Sequence, residues 1–176
     1  MEGEVADTQL GGHLPDEVRS ATEHHTAVVV GGGQSGLATA YYLRRYEMDF
    51  LILDNQEEPG GAWLHAWPSL TLFSAAAFSN LPGWPMPQYP GYPPASHVID
   101  YLEHYERRYD LPARRPVHVR SVSHDGGMFF LDSTVGQFTA DHVVAATGTW
   151  SAPFVPPLSR HLPRPPVALV DLPRPR

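Results

Sequence analysis

Three glycines at a fixed spacing constrain this chain more than any other feature. In "VVVGGGQSG" (Val28 to Gly36), Gly31, Gly33 and Gly36 have the spacing G-x-G-x-x-G. The β-branched run Thr26 to Val30 before them suits a strand buried on both faces. A helical pattern follows from Gln34 to Glu47, with Leu37, Ala40 and Tyr41 on one face and Arg44 and Arg45 at the negative end of the dipole. Phe50 to Leu53 reads as a second apolar strand, and it ends in Asp54. Strand, glycine turn, helix, strand and acid, in that order, are the parts of a dinucleotide site. Gly31 allows the tight turn, Gly33 lets a pyrophosphate approach the backbone, and Gly36 lets the helix pack close to the sheet. The free N–H groups at the helix start then face the phosphates. Asp54 can accept a hydrogen bond from a ribose 2′-OH and would repel a 2′-phosphate. The residues themselves therefore suit FAD or NAD rather than NADP.

The rest of the chain excludes several alternatives. Its net charge is −7, and all twelve basic residues are Arg. The charge argues against nucleic acid, and the lack of Lys excludes a Walker-type loop and Schiff-base chemistry. There is no Cys, so a disulfide reductase mechanism is excluded, as are thiolate metal sites. The ten His show no metal-ligand spacing; His65 and His97 receive no site role. No apolar run approaches the roughly 18 residues of a membrane helix, and the acidic N-terminus is not a secretory signal, so a cytoplasmic location is expected.

Pro59 to Pro94 is rich in Pro and Gly and carries Trp63, Trp67 and Trp84. So many prolines exclude long regular elements, and so many aromatics exclude plain disorder, which leaves an ordered covering loop. Ser96 to Tyr109 returns to helix, with Ser96 as the expected N-cap and Val98, Leu102 and Tyr105 on one face. Val117 to Val122 reads as a strand, and "HDGG" (His124 to Gly127) as a hairpin turn. Met128 to Leu131 and Gln137 to Ala140 read as antiparallel partners, and His142 to Ala146 as a further buried strand. The fold expected is α/β: a Rossmann-like parallel sheet with an antiparallel meander. The strands centred on Val29, Leu51, Val119 and Val144 should lie side by side.

Two further stretches accompany the fingerprint. "EEPGGAW" (Glu57 to Trp63) follows the second strand, and "AATGTWSAPFVP" (Ala145 to Pro156) follows the last. Together the three resemble the flavin-containing monooxygenase family, where a glycine fingerprint, a later G-G-x-W and an A-T-G before spaced prolines surround FAD. "LFSAAAFSNLPGWPMP" (Leu72 to Pro87) resembles its bacterial branch, which includes arsenic-associated flavin monooxygenases. The resemblance implies that Gly31, Gly33 and Gly36 contact the FAD pyrophosphate and that Asp54 holds the adenosine ribose. It implies further that Gly61 and Trp63 lie along the cofactor, that Val119 presents backbone to the adenine, and that Thr147 and Gly148 close the site. In that family NADPH reduces FAD, and oxygen is then transferred to a soft nucleophile or a carbonyl.

The family fold has two dinucleotide domains, and this sequence has one G-x-G-x-x-G. The expected organisation is an extension over 1–23, an FAD-binding domain over 24–157 and a Pro/Arg-rich tail over 158–176. The tail lacks the family's F-x-G-x-x-x-H motif, as though the reading frame were lost near Leu158. The expected function is the FAD-binding part of an NADPH-using monooxygenase, without its NADPH site; the alternative is a non-catalytic FAD-binding module that needs a partner for that site. No catalytic residue and no substrate can be named from the sequence.

Overall fold

The computed structural model describes residues 22–151. The expected tail, and all but the last two residues of the expected extension, lie outside them. A strand β1 (Glu23–Val30), a helix α1 (Gln34–Arg45) and a strand β2 (Phe50–Leu53) form a strand–helix–strand unit, with β1 and β2 parallel from Ala27↔Phe50 to Val30↔Leu53. After the Pro-rich region come α2 (Ala95–Arg108), β3 (Ala113–Arg114), β4 (Val119–Asp125), β5 (Met128–Ser133) and β6 (Gly136–Ala145). The six strands form one sheet in the order β3-β2-β1-β6-β5-β4. The first four are mutually parallel and the last three antiparallel, which is the α/β fold with a meander that the sequence leads one to expect.

Strand alternation builds the core on both faces of this sheet. Ala27, Val29, Phe50 and Ile52 point to one face, where Leu37 and Ala40 of α1 and Val98, Leu102 and Tyr105 of α2 cover them. Val28, Leu51 and Leu53 point to the other, against Leu131, Phe138 and Ala140 of the meander. Residues buried on both faces are why these two strands read as continuous apolar runs.

Several elements differ from the sequence reading. The outer neighbour of β2 is the two-residue β3, not the strand at Val119, which lies in β4 at the opposite edge. A strand of two residues leaves no periodicity to read. The expected strands Gln137 to Ala140 and His142 to Ala146 are one strand, because β6 runs without a break alongside β1. Its antiparallel pairing to β5 stops at Ala140, and Val143 and Val144 beyond it are only half-buried. Helix α2 starts at Ala95, and its N-cap is Pro94, not Ser96; Pro94 contributes its carbonyl to Val98 N–H.

The Pro-rich region is ordered, as expected, and contains two short 3-10 turns, Gly61–His65 and Ala76–Phe78. Buried phenols on α2 hold it. Tyr101 Oη accepts from Leu81 N–H at 2.8 Å and donates to Trp84 O at 2.7 Å, and Tyr105 Oη donates to Pro82 O at 2.6 Å. Burial raises the pKa of both phenols, so both remain donors. His97 adds a bond from its ring to Pro87 O at 2.9 Å, a structural contact.

Candidate functional site

The carboxyl ends of β1, β2 and β6 meet at Val30, Leu53 and Ala145, where all three chains leave the sheet. Gly31 N–H donates to Leu53 O, and Ala146 N–H to Val30 O, each at 2.8 Å. A cleft of about 480 Å³ opens there, the position where doubly wound sheets place their ligands.

The glycines at its edge have separate reasons. Gly31 has φ +111°, and a Cβ on it would run into the carbonyl of Ala146. It is required by the turn and by the close approach of the β6 exit. Gly36 is buried and is not among the residues lining the cleft; a Cβ there would strike the Gly31 carbonyl. Its place is the close packing of helix on turn. Gly33 is different. It is extended (φ −82°, ψ −169°), a conformation open to any residue, and a Cβ on it would meet nothing nearer than Gly61 Cα at 3.8 Å. Neither backbone strain nor protein packing requires a glycine at Gly33. The space in front of it opens on the cleft, a cradle that a side chain would fill.

Gly33 also caps α1. No side chain caps this helix, and no acid stands in its first turn. Gln34 and Ser35 line the cleft, and as first residues of a helix their N–H groups have no intrahelical acceptor. Donors and the positive end of the dipole therefore face the cavity. No Arg lines the cleft among the described residues, and Asp54 is its single carboxylate. An anionic group at the helix start and a hydroxyl donor at Asp54 match this lining.

Of the residues expected at the site, Gly31, Gly33, Asp54, Gly61, Trp63, Val119, Thr147 and Gly148 all line this one cleft. Gly61, at φ +56°, packs its backbone against Gly33; a Cβ on it would stand 2.7 Å from Gly33 Cα. Trp63 donates from Nε1 to Gln34 Oε1 at 3.2 Å, which fastens the 3-10 turn to the helix start. Val119 enters the cleft beside Val117, whose N–H donates to Asp54 O at 2.7 Å.

Sequence reasoning missed several members. His65, given no role from sequence, lines the cleft; its Nε2 lies 2.7 Å from Gln56 Oε1, and its ring stacks on Trp150 with centroids 5.6 Å apart. Arg115 and Glu106 also went unnoticed. Arg115 Nε donates to Asp54 Oδ2 at 2.7 Å, and its two terminal nitrogens donate to Glu106 at 2.8 and 2.7 Å. Burial works against the charge of Arg115, but its bonds to Glu106 and Asp54 outweigh this and hold its pKa above the ordinary value. Neither partner falls in a motif, so no sequence signal marks them.

Comparison with known proteins places the chain in a family. A family model described as pyridine nucleotide-disulphide oxidoreductase matches residues 28–161. An uncharacterized CzcO-like oxidoreductase of Geobacillus kaustophilus is 35% identical over 136 residues, 77% of this chain and 39% of that protein. The indole-3-pyruvate monooxygenase YUCCA6 of Arabidopsis thaliana is 34% identical over 164 residues, 89% of this chain and 39% of that protein. The solved structure of a flavin-containing monooxygenase from Stenotrophomonas maltophilia superposes with a TM-score of 0.74 at 47% identity, over 77% of this chain and 42% of that one. The chain thus spans about two fifths of the length of the relatives it matches. The expected likeness to flavin monooxygenases is borne out by these relatives, and with the family model covering most of its described residues, the chain belongs to the pyridine nucleotide-disulphide oxidoreductase family.

Proposed function

We propose that residues 24–157 bind FAD and form the flavin-binding part of an NADPH-using oxidoreductase of monooxygenase type. The observation that carries this reading is the open cradle at Gly33, set at a helix N-terminus with no side-chain cap on the cleft where β1, β2 and β6 end. The lack of Cys leaves this chain without the thiol pair of a disulfide reductase, and the likeness to flavin monooxygenases supports the oxygen-transfer branch.

When bound, FAD supplies the redox and oxygen chemistry. The chain's own residues bind and orient it. The N–H groups of Gln34 and Ser35, with the helix dipole, would hold the pyrophosphate at Gly33. Asp54 would accept from the adenosine ribose, and Val119 would contribute backbone to the adenine. Gly61, Trp63, Thr147 and Gly148 would line the rest of the cofactor's site. The substrate class by likeness is a soft nucleophile or a carbonyl.

The test of the binding site itself is the visible spectrum of the purified protein and a fluorescence titration with FAD. The expected result is the two-band absorption of oxidised flavin and saturable binding. A chain folded by circular dichroism that binds no FAD overturns the proposal.

A further inference from the structure

Behind the wall of the cleft lies a buried cluster of three charges. The side chains of Arg115, Asp54 and Glu106 are 9%, 4% and 14% exposed. The guanidinium is divided between two carboxylates: Nε to Asp54 Oδ2, and Nη1 and Nη2 to the two oxygens of Glu106. A charge this deep requires pairing, and a fork that meets a carboxylate on two nitrogens is also fixed in orientation. Asp54 reaches the cleft, whereas Arg115 and Glu106 do not line it. No described residue donates to Oδ1 of Asp54. One side of the carboxylate is held from behind, and the other remains for a donor in the cleft.

Gly32 gives independent support. The fingerprint places no demand on this position, yet a Cβ there would stand 2.5 Å from both Arg115 Nη2 and Asp54 Oδ2. The glycine turn lies directly on the ion pair and leaves no room for a side chain. Glu106 matters for charge as well as for grip. With Asp54 alone, Arg115 would form a neutral pair beside the ribose position; with Glu106, the cluster carries −1, and the fork is already engaged. Such a cluster accepts from a hydroxyl and repels a phosphate in the same place.

The geometry points to Arg115, clamped by Glu106, as the positioning residue that holds Asp54 with one oxygen free for a ribose hydroxyl and so selects an adenosine ribose without a 2′-phosphate. This rests on the FAD reading above.

The test compares FAD with its 2′-deoxyadenosine analogue by fluorescence titration of the full chain. A hydrogen bond from the hydroxyl to a carboxylate should make the wild type prefer FAD by roughly tenfold or more. In Arg115→Met this preference should collapse toward about one, whatever happens to overall affinity. A merely structural role would weaken both ligands equally and leave the ratio unchanged. If Arg115→Met fails to fold by circular dichroism, Arg115→Lys decides. Lysine keeps the charge but cannot engage both carboxylates in this geometry, so its ratio should fall at least about threefold. A wild-type ratio near one, or an unchanged ratio in the folded variant, overturns the inference while FAD binding stands. A wild type that binds neither ligand overturns the FAD reading, and the inference with it.

Discussion

Gly33 and Gly61 face each other across the floor of the cleft, and their need for glycine is unequal. A Cβ on Gly61 would collide with Gly33 Cα at 2.7 Å, whereas a Cβ on Gly33 would clear Gly61 Cα at 3.8 Å. The first contact belongs to the fold; the second leaves space for a ligand.

Gly33→Val should therefore fold and lose flavin. The backbone at Gly33 accepts valine, and the poorer N-cap should cost about 1 kcal/mol. Trp67→Phe, at a half-exposed residue outside the cleft, should retain flavin. Flavin content per folded protein checks both; equal retention would show that the phosphates do not lie at Gly33.

Gly31→Ala should act on the fold instead. The positive φ and the Ala146 carbonyl both oppose a side chain there, so stability should fall by more than about 2 kcal/mol. Denaturant unfolding without ligand measures it. A small change would mean that the exit of β6 can move away from the turn at little cost.

Acid should loosen the start of β1. Arg114 pairs with Glu23 through two bonds, at 2.8 and 2.9 Å, and chiefly for that reason the Glu23 carboxyl is lowered to about 2 from an ordinary 4.5. A depressed folded-state pKa means stabilisation that is present above pH 4.5 and is lost as pH falls toward 2. Thermal melts across that window should have a shallower slope in Glu23→Gln than in the wild type. Parallel slopes would remove the pair from the acid response.

Removing one hydroxyl should test how the Pro-rich region is held. Tyr105→Phe leaves Pro82 O without its donor inside the protein and should cost about 1–3 kcal/mol in denaturant unfolding. A change within error would mean that this carbonyl finds water instead.

The 176-residue chain should not oxidise NADPH faster than free FAD does. Hydride transfer needs the nicotinamide held against the flavin, positioning that can be worth roughly 7–11 kcal/mol, and the one glycine fingerprint is assigned to FAD. On the proposed FAD reading, Asp54 would stand at the ribose and oppose a 2′-phosphate. Saturable NADPH consumption above the free-flavin control would reveal a second nucleotide site.

The sequence by itself determined the strand–turn–helix–strand unit from Thr26 to Leu53, because its signals are local: β-branched runs, glycines at fixed offsets and a helical period. It also marked seven of the eight expected residues that line the cleft, since these belong to short motifs; Val119 came from the family resemblance alone. The tertiary structure alone decided that Ala113–Arg114 pairs with β2, that Val119 belongs to the opposite edge, and that β6 is one strand. Strand neighbours are chosen by packing across the whole sheet, which no local pattern encodes. Arg115 and Glu106 became visible for the same reason. They lie 61 and 52 residues beyond Asp54 in the chain, and only the folding of α2 and the β3 exit against the glycine turn brings the three charges together.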